Sequence, residues 1–183
     1  MGDRRPVHPF FMGFLEDMLE TGLTESPLYI EYAPMLEHLG LQIVEINQFN
    51  RKDGVHVLLT ILAKEVDTTV DHCADVYRLL FPRLQLAMRE ADLHLEVSTP
   101  GLERNFKDQA EFALFEGRRV RIYDTGRSTW VSGIIGQQSD EGVMLSEVFI
   151  EGQPEKVEEI NMKYSAIQKA KLDYRWEDRR HGN

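Results

Sequence analysis

The stretch LEVSTPGLERNF, residues 95–106, decides how the chain divides. It begins with apolar residues that alternate with polar ones, which is typical of a half-buried strand. Pro100-Gly101 then ends the strand, because proline fixes φ and glycine supplies the positive φ that a type II turn requires. A charged pair, Glu103 and Arg104, follows the turn. The stretch is therefore predicted to be the last strand of one domain and a sharp exit into a second domain.

The same corner provides the first group of candidate site residues. No acid, base or metal ligand converges on it in the sequence, which disfavours a catalytic loop. Glu103 and Arg104 either form an interdomain ion pair or present charge to a partner, and we expect Arg104→Ala to leave the stability of both cores nearly unchanged. The candidates for a hinge or partner-binding corner are Ser98, Pro100, Gly101, Leu102, Glu103 and Arg104.

Upstream of this corner, residues 28–99 predict a two-layer α+β domain with a three-stranded sheet and two helices. A helix over residues 28–39 precedes a hairpin in which Val44 and Ile46 face the core. A second helix, with Thr69 as its cap, is bent or ended by Pro82. The buried stripe predicted for this second helix consists of Val70, Cys73, Ala74, Tyr77, Leu80 and Phe81.

Downstream of the corner, five short strand-like runs separated by turn signals predict a small closed β-barrel. Residues 100–116 are assigned to a hinge and a short helix, with Asp108 and Glu111 as a capping box. The barrel is assigned to residues 117–172 and a polar tail to residues 173–183. Residues 1–27 are an extension whose apolar residues recur at the spacing of a short amphipathic helix.

Composition limits the class of protein. The 183 residues carry a net charge of −10, of which residues 1–98 contribute −8. This charge either suits a basic protein partner better than naked RNA or simply aids solubility. The single cysteine excludes an internal disulfide framework and favours the cytoplasm. Membrane contact is not expected, because no apolar run approaches the ~20 residues of a membrane helix.

The sequence offers no catalytic or metal-binding constellation. No His-Glu-x-x-His motif or phosphate-binding loop is present, and His94 and Glu96 on one strand face are too weak a signal for a metal site. Cys73 follows His72 near a helix start, but it belongs to an apolar stripe, which favours a buried structural thiol. We therefore expect no catalytic residues, no metal and no cofactor, and a protein that is not an enzyme.

A second group of candidates lies in the predicted barrel. Arginines and lysines near Tyr123 and Trp130 either converge into an RNA-binding surface with a stacking platform or are ordinary solvated side chains. The alternatives are evenly balanced, because acidic residues are equally common in this half. The candidates are Arg118, Arg119, Arg121, Tyr123, Trp130, Lys169 and Lys171.

Several of these elements occur together in an order that resembles the bacterial ribosome maturation factor RimP family. They are LGLQIVEI, TVDHCADV, LEVSTPGLERNF, GRRVRI and AIQKAKL, and the resemblance covers residues 29–172. In LEVSTPGLERNF, Thr99 and Glu103 stand where the family often has Ser and Asp. Asn105-Phe106 stands where it usually has Pro-Leu, which we expect to loosen the chain after Arg104.

The resemblance implies an Sm-like (SH3-like) fold for the C-terminal barrel and a non-catalytic, monomeric assembly factor. The implied partners are the immature small ribosomal subunit, a basic small-subunit protein near the decoding centre, and ribosomal RNA. Two alternatives stay open: a general RNA-binding Sm-type module, and a thiol enzyme that uses Cys73.

Overall fold

The computed structural model describes residues 22–64, 66–88 and 92–174. The predicted amphipathic helix of the N-terminal extension and most of the polar tail lie outside these residues. The chain separates into two compact units, and the boundary falls between Gly101 and Leu102. The first unit is Gly22–Gly101, and the second consists, in its described part, of residues 102–174.

The N-terminal unit places three strands and two helices in the order that the sequence predicts. In the sheet order β1-β2-β3, β2 pairs antiparallel with β1 and parallel with β3. A 3-10 turn at Leu23–Glu25 comes first. The elements are α1 (Pro27–Glu37), β1 (Leu41–Arg51), β2 (Gly54–Ala63), α2 (Val70–Met88) and β3 (Leu93–Ser98).

Alternation along the strands builds the core of this unit, with one correction on β1. Val57, Leu59 and Ile61 of β2 are buried on one face, as predicted. On β1 the pairing shifts between Ile43 and Glu45, so that Ile43 lies opposite Ile61 and Val44 occupies a β-bulge. Ile43 and Ile46 belong to the main hydrophobic cluster of this unit, and Val44, as predicted, is also buried although it occupies the bulge.

The second helix differs from its prediction in length and in buried face. It continues through Pro82 to Met88, and the Arg83 guanidinium donates to the Leu79 carbonyl at 2.6 Å beside the proline. Its buried residues are Val76, Leu80 and Leu84, whereas Val70 and Tyr77 of the predicted stripe are exposed. Within the described residues, no helix combines the length and apolarity needed to span a bilayer.

The C-terminal unit is a five-stranded antiparallel sheet that follows a short helix. Its strand order is β7-β6-β5-β4-β8, and no strand pairing joins β7 to β8 among the described residues, so the predicted closed barrel is not shown. The elements are α3 (Glu111–Leu114), β4 (Arg119–Asp124), β5 (Thr129–Gln138), β6 (Gly142–Ile150), β7 (Val157–Lys163) and β8 (Ile167–Leu172).

The core of this unit follows the same alternation. Val120 and Ile122 of β4 are fully buried, while Arg119, Arg121 and Tyr123 face the other side. Two register shifts between β5 and β6 interrupt the ladder, and shifts of this kind bend and twist a sheet.

Candidate functional site

The first half of the signature stretch ends the N-terminal unit. Ser98 closes β3, and its hydroxyl lies 3.4 Å from the Thr60 hydroxyl on the neighbouring strand. Gly101 has a φ of 75°, as the turn chemistry predicts. A Cβ added at Gly101 would meet no described atom within 4 Å, so glycine is required there for its backbone conformation. Leu102 is 61% exposed.

The second half of the stretch is anchored inside the C-terminal unit by Arg104. Its Nε lies 2.5 Å from Oε2 of Glu111, and its Nη2 donates to Oε1 at 3.1 Å. The Arg104 side chain is 8% exposed and that of Glu111 is 0% exposed. This corrects the expectation that Arg104 serves as an interdomain or partner-facing charge, because both members of this buried ion pair belong to one unit.

Glu111 also fixes the backbone that leads into α3. Its Oε1 accepts hydrogen bonds from the backbone N–H groups of Lys107 at 2.8 Å and Asp108 at 3.3 Å. The predicted capping box thus supplies part of the arrangement, while the contribution of Arg104 was missed. Removing one partner of a buried pair costs about 3–5 kcal/mol, because the other charge is left buried alone. The arginine of the signature is therefore a structural anchor.

Residues 104–106 extend the C-terminal sheet beyond β8. Leu172 N–H donates to the Arg104 carbonyl at 2.9 Å, and Phe106 N–H donates to the Ala170 carbonyl at 2.8 Å. Phe106 is buried and stacks on Phe115 with ring centroids 5.3 Å apart. The expected loosening at Asn105-Phe106 is therefore not observed: strand pairing and aromatic packing hold this segment.

The basic and aromatic candidates partly converge on one face of the C-terminal sheet. Tyr123 pairs with Trp130 on one side and with Lys169 on the other, while Arg121 pairs with Lys171. The Arg121 guanidinium lies 4.9 Å from the Trp130 ring centroid, a cation–π distance. We call these five residues, Arg121, Tyr123, Trp130, Lys169 and Lys171, the basic-aromatic face.

Acidic side chains neutralise part of this surface. Arg121 pairs with Glu151 at 3.0 Å, and Arg119 pairs with Glu147 at 3.2 Å. Arg118 is exposed and lies immediately before the start of β4. The arrangement is a mixed-charge face with an aromatic centre, rather than a uniformly basic patch.

Strand pairing assembles a polar cluster that the sequence analysis missed. His56 on β2 lies opposite His94 on β3, and their rings stack with centroids 4.5 Å apart. Asp53, in the turn before β2, lies 3.0 Å from His56 Nε2 through its carboxylate oxygen Oδ1. This hydrogen bond is the main cause that lowers the pKa of the Asp53 carboxyl. We call Asp53, His56 and His94 the histidine cluster.

Only pairing between distant strands could have revealed this cluster. His94 was noted with Glu96, its neighbour on the same strand face, whereas its spatial partner belongs to β2. The parallel register of β2 and β3 is the missing information, because sequence patterns give the faces of strands without giving their alignment.

Cys73 has the properties of a structural thiol. It is half-buried and packs against the hydrophobic core of the N-terminal unit. Burial raises the pKa of its thiol, so little reactive thiolate is present near neutral pH.

Comparisons with known proteins place these features in a family. Residues 31–103 match the RimP N-terminal domain family. The protein named ribosome maturation factor RimP from Borrelia hermsii is 31% identical over 150 residues, which cover 80% of this chain and 94% of the relative. That from Borrelia turicatae is 29% identical over 153 residues, covering 82% and 96%.

Among solved structures, an Sm-like archaeal protein from Pyrobaculum aerophilum aligns with a TM-score of 0.33 and 18% identity, over 36% of this chain and 51% of that protein. The family assignment comes from the sequence relatives, whose matches extend over most of the chain. The chain therefore belongs to the RimP family of ribosome maturation factors.

Proposed function

We propose that the protein acts without catalysis in the maturation of the small ribosomal subunit, as a monomer in the cytoplasm that binds the immature subunit. The observation that carries this proposal is the match to the ribosome maturation factor of Borrelia hermsii, which covers 80% of this chain and 94% of that relative. A match of this extent includes residues from both units. The proposed role is therefore one that both units share with the relative, rather than a role of a single domain.

The partner within the immature subunit is proposed to be a basic ribosomal protein near the decoding centre, together with adjacent ribosomal RNA. Residues 1–98 carry a net charge of −8. Electrostatic fields of opposite sign accelerate the encounter of two proteins and disfavour the binding of like-charged partners. Residues 1–98 therefore favour a basic protein over bare RNA. The mechanism is positional: the factor holds its partner in a state that permits assembly and makes or breaks no covalent bond.

Within the signature, the exposed residues are proposed to contact the partner and the buried ones to support them. Leu102 is 61% exposed, and Glu103 is also exposed. Ser98, Pro100 and Gly101 fix the path of the backbone that leads to them. Arg104 contributes from inside the C-terminal unit by anchoring the residues that follow.

Affinity capture of assembling ribosomes tests this proposal. The tagged protein is expected to recover immature small subunits in preference to mature ribosomes, and Leu102→Ser with Glu103→Lys is expected to reduce that recovery. Ile30→Ser is the matched control, because Ile30 is 63% exposed on α1. Equal recovery of mature and immature particles, or no recovery of either, would contradict the proposed function.

The C-terminal sheet is proposed to be an Sm-like barrel, as the family resemblance implies. Five short antiparallel strands that follow a short helix support this assignment. Through-space NMR contacts between β7 and β8 would establish closure. Unprotected amides at the positions of β7 and β8 that face away from β6 and β4 would show an open sheet instead.

A second candidate function, a general RNA-binding module, is favoured by the basic-aromatic face. Arg121 lies over Trp130, and Tyr123 packs against the same ring with centroids 5.4 Å apart. Titration of single-stranded RNA at several salt concentrations distinguishes the two candidates. A steep loss of affinity with salt, together with weaker binding of Trp130→Ala at every salt concentration, supports the RNA module. Weak RNA binding beside tight binding to a basic ribosomal protein supports the assembly factor.

A further inference from the structure

The histidine cluster occupies the face of the N-terminal sheet opposite its hydrophobic core. Core residues Val57 and Leu59 alternate along β2 with His56, so His56 projects to the other side. The register of the sheet then aligns Phe49, His56 and His94 in one row across three strands. The His56 and His94 rings are nearly parallel, with an interplanar angle of 16°.

The turn between β1 and β2 directs Asp53 toward both histidines. Its Oδ1 lies 3.0 Å from His56 Nε2, and its carbonyl oxygen lies 3.2 Å from His94 Nε2. The two Nε2 atoms therefore face the same residue. One carboxylate oxygen and one ring nitrogen from each histidine lie within 4.8 Å of one another.

The backbone beside Asp53 is held closely against the start of β3. Val55 N–H donates to the Asp92 carbonyl at 2.7 Å. A Cβ added to Gly54 would lie 2.1 Å from that same carbonyl oxygen, and Gly54 has a φ of 136°. Only glycine permits this approach, which fixes the turn that carries Asp53 beside the strand that carries His94.

We propose that Asp53, His56 and His94 form a binding site for a divalent transition-metal ion, with Zn²⁺ as the ion that best suits the donor set. Two imidazole nitrogens and one carboxylate oxygen are a ligand combination that zinc takes in proteins. Hard cations such as Mg²⁺ prefer sites built from oxygen atoms alone. Asp53 and His94 are exposed, which gives an ion direct access and leaves a fourth position for water or for a ligand from a partner.

Binding requires a small local rearrangement. Zinc bonds to nitrogen and oxygen are about 2.0–2.2 Å long, so the three ligand atoms must converge on one point. The two Nε2 atoms must also release the hydrogens that they direct at Asp53, and each ring then carries its proton on Nδ1. The first adjustment rotates exposed or partly exposed side chains, and the second transfers a proton through solvent from Nε2 to Nδ1 of each ring, so the core is unchanged.

Calorimetric titration of the full-length, chelator-treated protein with ZnCl₂ tests the site. We expect one equivalent of Zn²⁺ to bind to the wild type and affinity to fall at least tenfold in His94→Asn and Asp53→Asn, because even loss of a residue that supports a ligand weakens metal binding by about 10–100-fold. His38→Asn and His72→Asn are matched controls, since both histidines lie outside the cluster. Circular dichroism verifies that each variant is folded.

A second readout locates the bound ion. The ring signals of His56 and His94 in NMR spectra are expected to shift on addition of Zn²⁺, while those of His38 and His72 stay in place. The proposal is overturned if the wild type takes up no zinc, if His94→Asn binds as tightly as the wild type, or if the controls lose affinity equally. None of these readouts depends on the proposed role in ribosome maturation.

Discussion

The buried ion pair Arg104–Glu111 and the histidine cluster are both polar, yet their surroundings give them opposite roles. Glu111 is completely buried, and its carboxylate accepts hydrogen bonds from Arg104 and from two backbone N–H groups. Asp53 and His94 of the histidine cluster are exposed. A buried charge whose partners are all supplied by the fold serves stability, whereas exposed ligand atoms remain available to bind something else.

The largest effect is expected from Arg104→Ala, and the burial of the Arg104–Glu111 pair reverses the sequence-based expectation that this substitution leaves stability nearly unchanged. This substitution leaves the Glu111 carboxylate buried without its counter-charge and should lower the free energy of unfolding by about 3–5 kcal/mol. Both tryptophans, Trp130 and Trp176, follow residue 101 in the sequence, so urea denaturation followed by tryptophan fluorescence reports on the C-terminal unit.

Two further variants sharpen this test. The double variant Arg104→Met/Glu111→Leu removes both charges together and should recover part of the lost stability, because it also removes the carboxylate that accepts from the Lys107 and Asp108 N–H groups. Arg119→Ala removes an arginine whose partner Glu147 is 66% exposed, and it should cost far less. Equal losses for Arg104→Ala and Arg119→Ala would show that burial does not distinguish the two arginines.

Gly54→Ala should have the next largest effect, and it acts on the other region. The added Cβ would collide with the Asp92 carbonyl at 2.1 Å while φ stays at 136°. We expect a loss of about 1–3 kcal/mol for such a strained residue, measured by denaturation monitored through far-ultraviolet circular dichroism. Gly101→Ala is the control without the steric clash, since its φ of 75° is also positive but its surroundings are open. Similar losses at both positions would mean that conformation alone explains the requirement for glycine.

His94→Asn should change the free energy of unfolding by no more than about 0.5 kcal/mol, as is usual for exposed positions. The same denaturation measurement applies, and His38→Asn, at another exposed histidine, serves as its matched control. A loss comparable to that of Arg104→Ala would show that the histidine cluster is a structural element. The difference in exposure would then not explain the different roles of the ion pair and the histidine cluster.

The smallest effect concerns the titration of Asp53. The hydrogen bond from His56 holds the pKa of this carboxyl below its ordinary value, so His56→Asn should raise it. Because the folded-state pKa is depressed, the associated stability is present above the ordinary carboxyl pKa and is lost as pH falls through the lowered value. NMR titration of the Asp53 side chain measures this shift, and an unchanged pKa in His56→Asn would assign it to another cause.

The sequence predicts local elements well and alignments between them poorly. Strand alternation and turn residues can be recognised from a few neighbouring residues. The strands predicted on both sides of the signature therefore agree with the structure. The bulge at Val44 could not be predicted, since it depends on which residues of β1 and β2 face each other. Proline rules suggested a bend or an end at Pro82, and the helix does not end there: it continues to Met88, with Leu80 and Leu84 buried on either side of the proline.

The candidate sites likewise depend on contacts that no local sequence pattern reveals. Arg104 was assigned to an interdomain ion pair or a partner contact and Glu111 to a capping box, because no local pattern reveals that the two side chains form one buried pair. The histidine cluster combines a turn with two strands, and its parallel register has no local signature. Convergence of the basic and aromatic candidates was one of two alternatives that the sequence left open, and the acidic partners Glu151 of Arg121 and Glu147 of Arg119 become apparent only from contacts.

The bridge between residues 104–106 and β8 has a consequence for any attempt to separate the two units. A fragment that begins at Leu102 retains Arg104, its pairing with Leu172, and the buried ring of Phe106. A fragment that begins at Asp108 would lose all three and would leave one side of β8 as an unpaired edge, a template for aggregation. The signature thus contributes residues to both units. Its second half must be kept with the C-terminal unit in domain exchange, truncation or gene fusion.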